Sequence, residues 1–169
     1  MSDTGELLLA QLTSRIRTSP MATGHFPVFL VLLVAVFVLV LGLSISHISG
    51  WASLAQRYRC EEGFSGDRLR FRSAAMRYSS HYGNCLTTGA NPQGLFLSMS
   101  VTFLVGHPPL FIPWSEITIR RGRFLWFKYV ELRLGQELAI PFRISEGLGS
   151  RLAAWAGGAW PEESATGVR

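Results

Sequence analysis

The chain has 169 residues, 48% of them hydrophobic, with 16 Lys and Arg against 11 Asp and Glu. That length suits one compact core and excludes two, while two cysteines cannot make a cysteine zinc set. The net charge of +5 falls entirely after residue 50, where 14 Lys and Arg face 9 Asp and Glu, and so directs attention to anionic partners.

The first 25 residues include "ELLLAQLTSRIRTSPM", with Leu8, Leu12 and Ile16 at helical spacing beside Arg15 and Arg17 until Pro20 ends the pattern. This is either a short helix on a membrane surface or a frayed terminus. From Phe26 to Ser46 no residue is charged. At about 1.5 Å per residue, a helix over 26–48 spans the roughly 30 Å hydrocarbon layer. A buried core helix would need a domain large enough to surround it on every side, which this chain lacks. A cleaved signal fits less well than a retained anchor, because signal apolar cores run about 7–15 residues behind a short basic start. Here the run follows a segment holding Asp3 and Glu6. Arg57, Arg59, Arg68, Arg70 and Arg72 follow the span, against only Arg15 and Arg17 before it. The expected topology is single-pass in the inner (plasma) membrane with the C-terminal domain cytoplasmic.

Residues 49–66 read as a juxtamembrane linker. Trp51 is expected at the headgroup level, with Tyr58, Arg57 and Arg59 completing the belt, and Gly63 and Gly66 in a polar stretch lead into the domain. Cys60 and Cys85 are free thiols in a reducing compartment or one disulfide in an oxidising one.

Residues 67–157 are mostly strand-like. "RLRFRSAAMRY" alternates Arg68, Arg70 and Arg72 with Leu69 and Phe71, the period of a half-buried strand. "YGNCLTTG" is a second, short strand, and "ANPQG" a turn. "LFLSMSVTFLV" is a long strand with Leu95, Leu97, Met99, Val101 and Phe103 on one face. In "HPPLFIPWSEITIRRGR", Pro108, Pro109 and Pro113 remove backbone donors, so the segment reads as an edge and a corner. Trp114 is then a core plug, and Glu116 caps a turn or pairs with an arginine. "FLWFKYVELRL" and "ELAIPFRI" form a closing hairpin across Gly135 and Gln136. "SEGLGSRLAAWAGG" is a helix capped by Ser145, striped by Leu148, Leu152 and Trp155, and ended by Gly157. Residues 158–169 form a flexible tail. The count is six or seven strands and one helix: an α+β chain with a transmembrane helix before a small antiparallel sheet or barrel.

This order, with its "IPWSEI" corner and final helix, resembles the PH-like superfold over Gly63 to Gly157, in particular the small membrane-anchored PH-like and GRAM-like domains of bacteria. The resemblance implies a bent antiparallel sheet closed by the helix and carries over no functional residue. The strands by themselves also fit a six-stranded barrel of another topology.

No GxSxG elbow, P-loop, HExxH or CxxC pair occurs, and His25, His47, His81 and His107 are scattered. No enzyme activity, catalytic residue, cofactor or metal site is expected. What remains is the basic set Arg68, Arg70 and Arg72 on one strand and Arg120, Arg121, Arg123 and Lys128 around one hairpin. These suit anionic lipid headgroups or an acidic membrane-protein partner, or serve only as a solvated face. Nucleic acid is not expected, since no binding module accompanies the charge. Two functions follow: a non-enzymatic, membrane-tethered binding module, or a structural accessory subunit of a membrane assembly.

Overall fold

An unbroken run of apolar residues free of Asp, Glu, Lys and Arg favours a helix that no neighbour needs to cover with charge, and Phe26–Ser49 form such a helix, α1. The computed structural model describes residues 26–77, 80–99 and 106–163. The surface-helix reading of residues 6–21 and the facing of Val101 and Phe103 lie outside them. α1 has 24 residues, about 36 Å of rise, and its apolar side chains from Val28 to Val34 stand exposed. It is long and apolar enough to cross a membrane. The chain divides into two compact units, Met1–Val38 and Leu39–Arg169. The second holds the end of α1 and everything after it.

At the end of α1 the chain turns through Gly50, whose φ of 85° is left-handed and suits glycine. A Cβ there would lie 2.6 Å from Ile140 Cδ1. The turn sends Trp51–Tyr58 into a short helix, α2, within the segment expected to be a linker. Trp51 and Leu54 are fully buried. Trp51 therefore corrects the headgroup expectation: its ring sits edge-on to Tyr82 and His107, and its Nε1 donates to the Pro108 carbonyl at 2.9 Å. Tyr58 leaves the belt as well, half-buried with its hydroxyl on Glu116 Oε2 at 3.2 Å. Ser46 and Ser49 are buried too. Ser46 Oγ donates to the Gly106 carbonyl, and Ser49 Oγ accepts from the Tyr82 hydroxyl at 2.8 Å. His107 Nε2 lies 3.2 Å from the same hydroxyl. Burial pushes the Tyr82 pKa up to about 12, against a smaller opposing effect of the Ser49 bond.

Seven strands follow: β1 Asp67–Met76, β2 Ser80–Asn91, β3 Gly94–Met99, β4 Leu110–Pro113, β5 Ile117–Phe124, β6 Phe127–Leu134 and β7 Ile140–Ser145. They form one antiparallel sheet in the order β4-β3-β2-β1-β7-β6-β5. β2 is longer than the short strand expected. The β2–β3 turn is the one read from Asn91, Pro92 and Gly94: Asn91 Oδ1 accepts from the backbone N–H of Gln93 and of Gly94, each at 3.0 Å. The proline segment is indeed an edge and a corner. β4 ends the sheet, and a 3-10 turn over Trp114–Glu116 swings the chain into β5. Trp114 is buried and its Nε1 donates to the Asn91 carbonyl at 2.8 Å. Glu116 caps the β6–β7 loop, its Oε2 accepting from Gln136 N at 3.1 Å and its carbonyl from Gly135 N at 2.9 Å. That loop runs through residues 135–139 with Ala139 N bonded back to the Gly135 carbonyl. It is thus a five-residue loop and not the two-residue one expected.

Glu146–Ala156 form α3, N-capped by Ser145, whose Oγ accepts from Leu148 N at 3.3 Å, and ended at Gly157. Leu148, Leu152 and Ala156 enter the core, with Trp155 half-buried beside it. A Cβ on Gly149 would lie 2.8 Å from Val130 Cγ2, so the glycine lets α3 lie close on β6. Beyond α3, Trp160 packs on Trp114 with centroids 5.2 Å apart, so this part of the expected tail is bound to the domain. One isolated bridge lies at each sheet edge, Arg59 against Leu110 on β4 and Glu163 against Ile119 on β5. Cys60 and Cys85 are both free.

Candidate functional site

A half-buried strand should bury every second residue, and β1 does so only at its end. Ala74 and Met76 are buried, Leu69 is half-buried, and Phe71 is 65% exposed. Register shifts fall between Leu69 and Arg72 and again between Arg72 and Ala74, and Phe71 takes a left-handed φ of 56°. These bulges break the expected face. Arg68 pairs with Gly89 but Arg72 with Leu86, positions of opposite parity on β2, so Arg68, Arg70 and Arg72 do not form one row and Leu69 and Phe71 do not share a side. The bulge instead presents Phe71 to solvent between two exposed arginines, Arg70 and Arg72.

The β5–β6 hairpin repeats that arrangement. Its strands join through Leu125 and Trp126 alone, with Leu125 at a φ of 55°, a backbone setting that Gly or Asn adopts at least cost. Phe124, Leu125, Trp126 and Phe127 are consecutive and 63% to 73% exposed. Arg123 and Lys128 sit directly opposite each other below them. With Phe71, these four are the exposed large hydrophobic residues that follow α1 among the described residues.

The register puts both features at the same end of the sheet. Ala75 of β1 pairs with Arg143 of β7, which pairs with Glu131 of β6. Both neighbours run antiparallel to β7, so Phe71 and Phe127, each four residues before its member of that row, are displaced in the same direction. One end of the sheet thus carries five exposed apolar side chains rimmed by Arg70, Arg72, Arg123 and Lys128.

The other predicted residues sit apart from this rim. Arg68 lies further along β1, opposite Gly89. Arg120 is half-buried opposite Glu131, and Arg121 pairs with Glu163, Nε to Oε2 at 3.6 Å. Within the rim, Arg123 Nε donates to the Leu125 carbonyl at 3.0 Å, and Lys128 Nζ lies 3.9 Å from Glu146, a solvated contact that contributes little.

Behind the hairpin an open groove of about 600 Å³ is lined by Phe124, Phe127, His81, Arg77, Lys128 and Arg143 among others. Two of its lining residues stack: Arg143 lies over the Tyr129 ring at 5.3 Å, and that ring lies against Gly122 on β5, where a Cβ would clash with it. Arg143 Nε donates to Glu131 Oε2 at 2.7 Å, and that bond raises the guanidinium pKa above its ordinary value. Glu131, 8% exposed, also receives Arg133 at 3.5 Å.

Phe71, Phe124, Leu125, Trp126 and Phe127 are not among the residues that the sequence singles out. "FLWFKY" resembles a strand start, and Phe71 fits the apolar phase of its alternation. The signal that could have found them is local: a run of four large apolar residues held between basic ones, "RFLWFK". Among the described residues, no three His, Cys, Asp or Glu side chains are grouped to hold a metal. Comparison with protein-family models, with curated proteins and with solved structures finds no match for this chain.

Proposed function

We propose that the chain is a membrane-tethered, non-enzymatic binding module whose basic sheet end docks on anionic lipid. The observation that carries this reading is the gathering of Arg70, Arg72, Arg123 and Lys128 at one end of the sheet. Arg123 and Lys128 face each other as like charges, an arrangement that opposes hairpin pairing until an anion lies between them. Each such group near an anionic membrane surface contributes about 1 kcal/mol. α1, long and apolar enough to cross a bilayer, supplies the tether, and the tether makes individually weak contacts effective by holding the domain near the lipid.

The strand order β4-β3-β2-β1-β7-β6-β5, closed by a C-terminal helix, supports a PH-like domain of the kind found in small membrane-anchored bacterial proteins. The arginines after α1 favour an inner-membrane protein with this domain in the cytoplasm. The rival reading, an accessory subunit pairing through a sheet edge, would have to work around one bridge at each edge, Arg59 on Leu110 and Glu163 on Ile119.

Hydrogen exchange on the full chain in lipid nanodiscs tests the docking. Amides of 70–72 and 121–128 are expected to exchange more slowly when phosphatidylglycerol is present than in phosphatidylcholine alone, and to lose that protection at high salt. Equal exchange in both lipids overturns the proposal.

A further inference from the structure

Charge alone does not account for the sheet end. A hairpin that only needed to display Arg123 and Lys128 could turn through Asn-Gly at lower cost. This one turns through Leu125 and Trp126, places Leu125 at a φ of 55°, and leaves four large apolar side chains in contact with water. Phe71 is likewise held outward by a left-handed bulge at the same end. Two separate strands each bear a backbone cost to expose apolar rings within a basic rim.

From this arrangement we infer that Phe71 and the Phe124–Phe127 tip enter the interfacial layer of the bilayer that holds α1, with Arg70, Arg72, Arg123 and Lys128 on its anionic headgroups. The inference rests on the docking proposed above and adds a depth and a set of residues to it. Trp and Phe at the apex with cations one step below match the order of layers in an anionic membrane, where amphipathic rings settle at the level of the headgroups and charges stay outside. A second copy of the chain fits poorly, because two tips meeting apex to apex would bring two Arg123–Lys128 pairs together.

The test places an environment-sensitive nitrobenzoxadiazole label on Leu125→Cys in the full chain, with Cys60→Ser and Cys85→Ala removing the other thiols. The labelled chain is reconstituted in phosphatidylcholine vesicles with and without phosphatidylglycerol. Quenching by a lipid carrying a nitroxide near its glycerol backbone is expected to be several-fold stronger in the anionic vesicles. It should fall to the neutral level at high salt or with Arg123→Gln and Lys128→Gln combined. Because the tip is exposed, Trp126→Ser should leave thermal unfolding unchanged while lowering the quenching. No quenching in either lipid, with exchange protection of 70–72 and 121–128 retained, overturns insertion and leaves surface docking standing. Absence of both overturns docking as well. Equal quenching in neutral vesicles overturns the anionic partner, and disulfide cross-linking between unlabelled copies of the Leu125→Cys chain assigns the surface to a second chain.

Discussion

The rings of this domain are only partly legible from their neighbours in sequence. Trp114 is, because prolines on either side of "LFI" force an edge and leave a large side chain to plug the bend. Trp51 is not: two residues past an apolar span, a belt tryptophan and a core tryptophan look alike, and the distinction lies in Gly50, which turns the chain against Ile140 of β7. Trp114→Ala removes a buried ring and leaves the Asn91 carbonyl without its donor. It should cost about 3–5 kcal/mol, measurable as a lowered unfolding midpoint of the chain in detergent. Tyr82 offers a pH test. Its folded pKa, raised to about 12, exceeds its unfolded value, so the unfolded chain releases this proton first as pH rises. Stability is therefore expected to hold below about pH 10 and to fall as pH climbs from there toward 12. Tyr82→Phe, which loses the bonds to Ser49 and His107, should lower stability at neutral pH while flattening that alkaline slope.

At the scale of elements, period-two alternation locates the strands but not their irregularities. β1 is visible as "RLRFR", yet its two register shifts arise from how it pairs with β2, and nothing in its own alternation marks them. The β5–β6 turn is hidden because Leu-Trp carries no turn chemistry, whereas Asn-Pro before Gly94 announces the β2–β3 turn at once. That second turn also sets a steric limit. A Cβ on Gly94 would fall 2.5 Å from the Ile112 carbonyl oxygen, and backbone in a paired strand cannot step aside as a side-chain tip can. Gly94→Ala is expected to push β4 away from β3 at a cost of about 1–3 kcal/mol. Gly63→Ala, where a Cβ meets nothing within 4 Å, serves as the neutral control in the same denaturation series.

For the molecule as a whole, the apolar helix, the antiparallel sheet and the capping helix can all be read from composition and period, since each depends on runs of many residues. The candidate site can be read only in its cations. Its apolar half depends on which residues a turn and a bulge leave outside, which sequence spacing does not encode. The cytoplasmic placement proposed above from the arginines that follow α1 makes one further prediction: a reporter active only in the cytoplasm, fused after Arg169, is expected to work. Activity only from a periplasmic reporter would reverse the orientation.

The bridge between Ile119 and Glu163 has a further consequence. β5 is the last strand of the sheet, and along it Glu163 both occupies a backbone position and accepts the Arg121 N–H at 3.2 Å. A chain ending at Pro161 would keep the core intact yet free the middle of the β5 edge, from Ile119 to Arg121, lengthening the template on which identical sheets stack by strand addition. Such a truncation is expected to unfold near the wild-type temperature but to polymerise with protein concentration, visible as growing light scattering and a rising thioflavin signal. Glu163 and its neighbour Glu162 would then act as a stopper against fibre growth, guarding solubility more than stability.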